Sequence, residues 1–181
     1  YRGGFTIRSA NDFPADCGLA SSASSFAALT RAAVRALTDL TGKSLPDVAE
    51  VADWSRQGSG SSCRSFFSPW AVWEADSVRA LKSLGHHGDL LHQVIVVNGE
   101  AKTVSSSEAL RRVVSSALFR GRVERGEERM TALISALETN RWSDAFEIAW
   151  AEFWDMHALF ETSRPAFGYM TSGSMDVLTF V

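Results

Sequence analysis

The sequence predicts an α+β fold, and three observations predict it. The clearest strand-like runs, at 4–9, 70–73 and 91–97, fall before position 98 of the 181 residues. Helical periodicity dominates the remainder of the chain, and no regular strand–helix alternation of the parallel-sheet type runs through it. Ordinary globular composition, 45% hydrophobic and 22% charged, supports a packed core.

The elements are as follows in chain order. Residues 4–9 alternate as a strand, and 11–18 form a Pro- and Gly-punctuated loop. Leu19 to about Leu40 reads as a helix with Phe26, Leu29, Ala33 and Leu37 inward, stopped by Gly42. Pro46 opens a second helix with Val48, Val51, Ala52 and Trp54 inward, ending near Gln57–Gly58. The small-residue loop 58–65 is a candidate short helix start. Strands are expected at Trp70–Trp73 and Leu91–Val97, the latter a continuous apolar run suited to cover on both faces. Ser105 and Glu108 are spaced as a capping box. Helices are expected over 108–115 and about 122–138, with Asn140 as a breaker. Ser143 then caps a helix through Glu161 whose aromatic face is Phe146, Trp150, Phe153, Trp154, His157 and Phe160. From Pro165 to Val181 a turn precedes one more helix or strand.

Net charge of −3 excludes the basic field of a nucleic-acid binder, so an anionic ligand must be held by local groups. No apolar run approaches the roughly 20 residues that span a bilayer, and nothing reads as a secretory signal. Cys17 and Cys63 are too few for a disulfide scaffold and suit a reducing cytoplasm. The chain opens at Tyr1 inside a strand-like run and closes on Val177–Val181 without a cap, which reads as a piece of a longer protein.

Two segments carry chemistry. In 14–25 a Gly loop feeds straight into a helix. A helix start offers unpaired N–H groups and partial positive charge, small residues allow close approach, and Ser21, Ser22, Ser24 and Ser25 add hydroxyls. A serine-capped packing helix reads the same residues without a ligand. The segment lacks the Gly-Lys-Ser/Thr ending of a P-loop and the dinucleotide fingerprint. The second segment, Gly58-Ser59-Gly60-Ser61-Ser62-Cys63-Arg64-Ser65, combines flexible backbone, hydroxyls and one guanidinium fork able to take a carboxylate or phosphate. A solvated Gly/Ser turn is its plainer reading, but the loop sits between an amphipathic helix and an aromatic run, not between domains.

Gly18-Leu19-Ala20-Ser21-Ser22-Ala23 resembles the ATP-phosphate loop of the GHMP kinase superfamily, and Phe13-Pro14 before it matches the diphosphomevalonate decarboxylase branch. Arg56–Ser65 closely resembles a signature of that branch. Gln93–Val97 with Lys102–Ser106, Glu124–Met130, Glu152–His157 and Pro165–Met170 resemble its later segments, in the same order. Ser62 departs from the family, where Ala is more familiar, and so does Ala15-Asp16-Cys17, whose Asp16 brings negative charge toward the phosphates.

The resemblance implies a GHMP-kinase-like two-layer fold, with an N-terminal ribosomal-protein-S5-like part and a C-terminal α/β part, incomplete at both ends. Residues 1–100 would be the remainder of the ATP- and substrate-binding domain, and 101–181 the start of the C-terminal one. It implies ATP and Mg²⁺, with no metal ligand of this chain's own, and ATP-dependent decarboxylation of (R)-5-diphosphomevalonate to isopentenyl diphosphate. Gly18, Leu19, Ala20, Ser21, Ser22 and Ala23 would bind ATP. Ser59, Gly60, Ser61, Arg64 and Ser106 would bind substrate, with Ser22 and Arg64 the catalytic pair. The family's substrate-binding Asn, Lys and Tyr would precede Tyr1 and its catalytic Asp would follow Val181, so the 181-residue piece alone is expected to be inactive. A cytoplasmic homodimer with small-molecule partners, neither nucleic acid nor membrane, is the matching expectation. Alternatives are a related kinase or decarboxylase acting on mevalonate or its monophosphate, a noncatalytic nucleotide-binding relative, and a structural α+β domain.

The remaining candidates read as structure. His86, His87 and His92 lack companions at ligand spacing and read as solvated or strand-end residues. His157 is expected to be a satisfied core histidine, and Cys63 a small buried residue with no histidine to activate it. The six Trp read as packing, with Trp70 and Trp73 as candidate site walls. Arg120–Arg129 mixes both signs and reads as a solvated helix surface. Nothing in the spacing gives Asp155 or Asp176 a catalytic role.

Overall fold

The structure is a computed structural model that describes residues 4–13, 15, 18–74, 77–99 and 102–180. The chain divides into two compact units, Tyr1–Leu91 and His92–Val181. Pro14, Asp16 and Cys17 of the first loop lie outside the described residues.

In the first unit, α1 (Ser21–Thr41) ends where Gly42 turns left-handed at φ 66° and donates its N–H to the Thr38 carbonyl. Helix α2 (Val48–Gly58) is capped by Asp47, whose carboxylate accepts from the Ala49 amide. That places the cap one residue past the Pro46 start expected. A 3₁₀ turn, Gly60–Phe66, comes directly after it. Strand β1 (Ala71–Glu74) then pairs antiparallel with β2 (Ser77–Ala80), in the register Ala71↔Ala80 and Trp73↔Val78. The second strand is too short to show a pattern and was missed from sequence.

Val51 and Ala52 of α2 lie inward as expected, but the rest of the expected faces of α1 and α2 do not. Ala23, Ala27 and Val34 of α1 and Val51, Ala52 and Ser55 of α2 are buried, whereas Phe26, Leu29, Leu37, Val48 and Trp54 are exposed. Apolar spacing identifies an apolar side of a helix, but the line of closest approach falls on its smallest members. Gly58 shows why: a Cβ there would sit 2.2 Å from the Phe26 ring.

In the second unit, α3 (Ser106–Val113) starts at Ser105, whose hydroxyl accepts from the Glu108 amide at 3.2 Å. The reciprocal half of a capping box does not form, because Glu108 instead takes Arg111 and Arg112. Helix α4 (Arg122–Glu138) closes on left-handed Asn140, φ 56°. Helix α5 (Trp142–Thr162) begins at once with Arg141 as its N-cap, so Ser143 lies inside the first turn rather than capping it. A short helix α6 (Ser172–Leu178) completes the unit. Its core gathers Val104, Ala109, Val113, Leu159 and Phe160, flanked by Phe119, Met156, Phe167 and Tyr169. The Tyr169 hydroxyl donates to the Val104 carbonyl at 2.9 Å.

Two expected strands do not form. Residues 4–9 and 91–97 lie outside any ladder, and Leu91 is 96% exposed. An apolar run states a demand for burial, but a strand exists only where another backbone offers its N–H and C=O groups. Among the described residues the sheet holds β1 and β2 alone.

Arg120–Arg129 is likewise not a simple solvated surface. Arg122, Arg125 and Arg129 of α4 meet Glu152 and Asp155 of α5. The Asp155 and Arg122 side chains are only 13% and 12% exposed. Burial pushes the Asp155 carboxyl up, but hydrogen bonds from Arg125 and Arg129 outweigh it and hold it below the ordinary carboxylate range.

Candidate active site

The helix start at Ser21 comes from backbone geometry. Gly18 (φ 88°) and Ala20 (φ 56°) are both left-handed. A left-handed Ala is uncommon and strained, and strained residues cluster at functional sites. Ala20 has no side chain to cap the first turn, and the first intrahelical bond is Ser24 N–H to the Ala20 carbonyl at 3.2 Å. The amides of Ser21, Ser22 and Ala23 therefore precede the helical ladder, at its positive end. The first turn carries no acidic residue. Ser22 is exposed, while Ala23 is buried and anchors the turn.

The second loop is fastened on several sides. Cys63 is buried, and its thiol donates to the Gly60 carbonyl at 3.1 Å, bearing out its reading as a packed small residue. Gly60 lies against the Trp73 indole, so that a Cβ would stand 3.1 Å from the ring. Arg31 of α1 donates to the Ser65 carbonyl at 2.8 Å and lies over the Phe66 ring at 4.7 Å. With its inner side pinned, the loop leaves Arg64 exposed and Ser59 and Ser61 half-exposed.

The two segments meet. The Ser22 hydroxyl stands 3.4 Å from the Ser59 hydroxyl, 37 positions along the chain. A contact that long contributes little energy, but it puts the start of α1 beside the serine turn that succeeds α2. Ser106, the other predicted contact, is the exposed first residue of α3 in the second unit.

The donor set is hydroxyl, amide and guanidinium. Among the described residues no group of three His, Cys, Asp or Glu could hold a metal ion. His86 and His87 pack ring to ring, centroids 4.1 Å apart. Hydroxyl, amide and guanidinium donors fit the oxygens of a phosphate chain.

The model of the diphosphomevalonate decarboxylase-like N-terminal domain matches residues 2–85, and that of the mevalonate 5-diphosphate decarboxylase C-terminal domain matches 93–181. The chain belongs to the diphosphomevalonate decarboxylase family. It is 36% identical over 185 aligned residues to a diphosphomevalonate decarboxylase of Ganoderma lucidum, covering 97% of this chain and 45% of that protein. Its fold matches the crystal structure of a mevalonate diphosphate decarboxylase from Legionella pneumophila with a TM-score of 0.87 and 46% identity, over 94% of this chain and 53% of that one. A structure of MDDEF in complex with MVAPP, AMPPCP and magnesium is similar at 27% identity and a TM-score of 0.76, over 92% of this chain and 52% of that one. The chain thus spans about half the length of the decarboxylases it matches.

One histidine and one serine read differently in three dimensions. His157 is not satisfied: its Nδ1 is buried without a partner, among Phe153 and Phe160. Burial drives its pKa below the ordinary 6.5, against a smaller opposing pull from Glu161. Ser62 proves to be buried against Ser55 of α2, a pairing that no local sequence signal announces.

Proposed function

We propose that this chain supplies the ATP-phosphate loop and the substrate loop of an ATP-dependent diphosphomevalonate decarboxylase. The observation carrying this reading is the meeting of Ser22 with Ser59, which sets an uncapped helix start beside a serine- and arginine-bearing turn. Family membership and a relative captured with MVAPP, AMPPCP and magnesium support it.

Hydroxide is a poor leaving group. ATP with Mg²⁺ supplies a phosphoryl group that turns the tertiary hydroxyl of diphosphomevalonate into phosphate. The amides of Gly18–Ala23 bind the nucleotide phosphates, and the Ser22 hydroxyl faces the group in transfer. Ser59, Gly60 and Ser61 hold the substrate diphosphate. Arg64 orients the carboxylate with its guanidinium fork. As CO₂ leaves, the electron pair of the breaking carbon–carbon bond forms the alkene, and the carbon–oxygen pair departs with phosphate, giving isopentenyl diphosphate. Ser106 is assigned to the substrate on family resemblance alone, as are the homodimer and the cytoplasm. No helix among the described residues is long and apolar enough to cross a membrane.

A coupled assay for ADP and CO₂ on the full-length protein with diphosphomevalonate tests the reading. Arg64→Ala is expected to lower kcat/KM by about 10- to 100-fold, the range of a lost charge-assisted hydrogen bond. Unchanged turnover would remove Arg64 from the site. ADP without CO₂ would favour a related kinase. The 181-residue chain alone is expected to release neither product.

A further inference from the structure

We propose that the buried hydroxyl pair Ser55–Ser62 is the positioning device of the substrate loop, deciding which of its side chains face the ligand. The inference rests on the function proposed above for that loop.

Ser62 and Ser55 are 0% and 1% exposed, and their hydroxyl oxygens are 2.6 Å apart. That is a short, well-made O–H···O bond in surroundings from which water is excluded. Ser55 sits on α2, one turn before its end, and Ser62 is in the 3₁₀ turn Gly60–Phe66. The bond therefore ties the turn back to the helix that launches it. Its neighbour Cys63 faces inward as well. Because Ser62 and Cys63 occupy the inner side, Ser61 and Arg64 are left on the outer one. A rotation of the turn by one residue would bury Arg64 and expose Ser62, and the pair opposes that rotation.

The pair has a distinctive failure mode. Removing one hydroxyl leaves the other buried and unpaired, which is worse than removing both. Neither serine touches the proposed ligand, so both are positioning residues.

The experiment compares Ser62→Ala, Ser55→Ala and the double variant in the full-length protein, with two readouts. The first needs no substrate: the rate at which a thiol reagent labels Cys63, located by peptide mass. Each single variant is expected to label on the order of tenfold faster, with the double variant closer to the unsubstituted protein than either single. The second is steady-state kinetics, where each single raises KM for diphosphomevalonate by about the same factor while kcat stays within about twofold. Should Ser62→Ala fail to fold, Ser55→Ala breaks the same bond from the helix side. Labelling unchanged in the single variants, or single effects that simply add in the double, would overturn the proposal. If the unsubstituted protein shows no turnover, the functional reading fails, while the labelling rates still judge the pair.

Discussion

Helices α1 and α2 turn their smallest residues inward. Ala23, Ala27, Ala52 and Ser55 are buried, while Phe26 and Trp54 stand 38% and 42% exposed. Helices α4 and α5 bury small residues too, Ala136 and Ala145, but add large and charged groups to them. Three arginines of α4 grip Glu152 and Asp155, and on α5 the rings of Phe146, Trp150, Phe153, His157 and Phe160 succeed one another in contact. Small inward residues bring backbones close, which is what lets the start of α1 meet the loop after α2. In the second pair, ion pairs and stacked rings are added to the small buried residues.

The contrast can be broken or sharpened by substitution. The largest effect belongs in the second unit: Leu159→Ala, at a site 1% exposed, is expected to destabilise by about 2–5 kcal/mol in urea unfolding. The matching Leu37→Ala in α1, 40% exposed, should fall well below that; equal losses would erase the distinction. Asp155→Asn comes next, since it leaves guanidiniums facing one another. A loss of about 3 kcal/mol is expected by the same measurement. Because the folded carboxyl titrates below its unfolded value, its contribution is present above the unfolded pKa of about 3.9 and is lost as pH falls through the folded one. The variant should therefore lose less stability than the parent on acidification below that point.

Gly58→Ala tests close approach in the first unit. Alanine is the better helix former by about 1 kcal/mol, yet here its Cβ would strike the Phe26 ring. A net loss of about 1–3 kcal/mol is expected, relieved in the double variant with Phe26→Ala; a stabilising Gly58→Ala would show that the ring moves aside freely. The smallest effect concerns His157. Its folded pKa lies below 6.5, so the unfolded chain binds the proton first and stability declines as pH drops beneath that value. His157→Phe should remove that decline, seen in unfolding midpoints between about pH 7 and pH 5.

Part of the fold was readable along the chain because its causes are local. The stop at Gly42, the Ser105 cap and the break at Asn140 depend on one residue's φ or one side chain reaching three positions away. The two serine loops were recognisable as turns for the same reason: their small residues lie within a few positions of one another. The apolar runs at 4–9 and 91–97 show the opposite case, since their wording matched strands that the described backbone does not pair.

What the sequence determined by itself is therefore a set of helix limits, caps and two serine-rich turns, all governed by hydrogen bonds and dihedral preferences over a few residues. Tertiary structure alone decided which helix faces went inward, that Arg125 would find Asp155 30 positions away, and that Ser22 would meet Ser59. Burial and pairing need partners, and partners distant in sequence become neighbours only once the chain has folded.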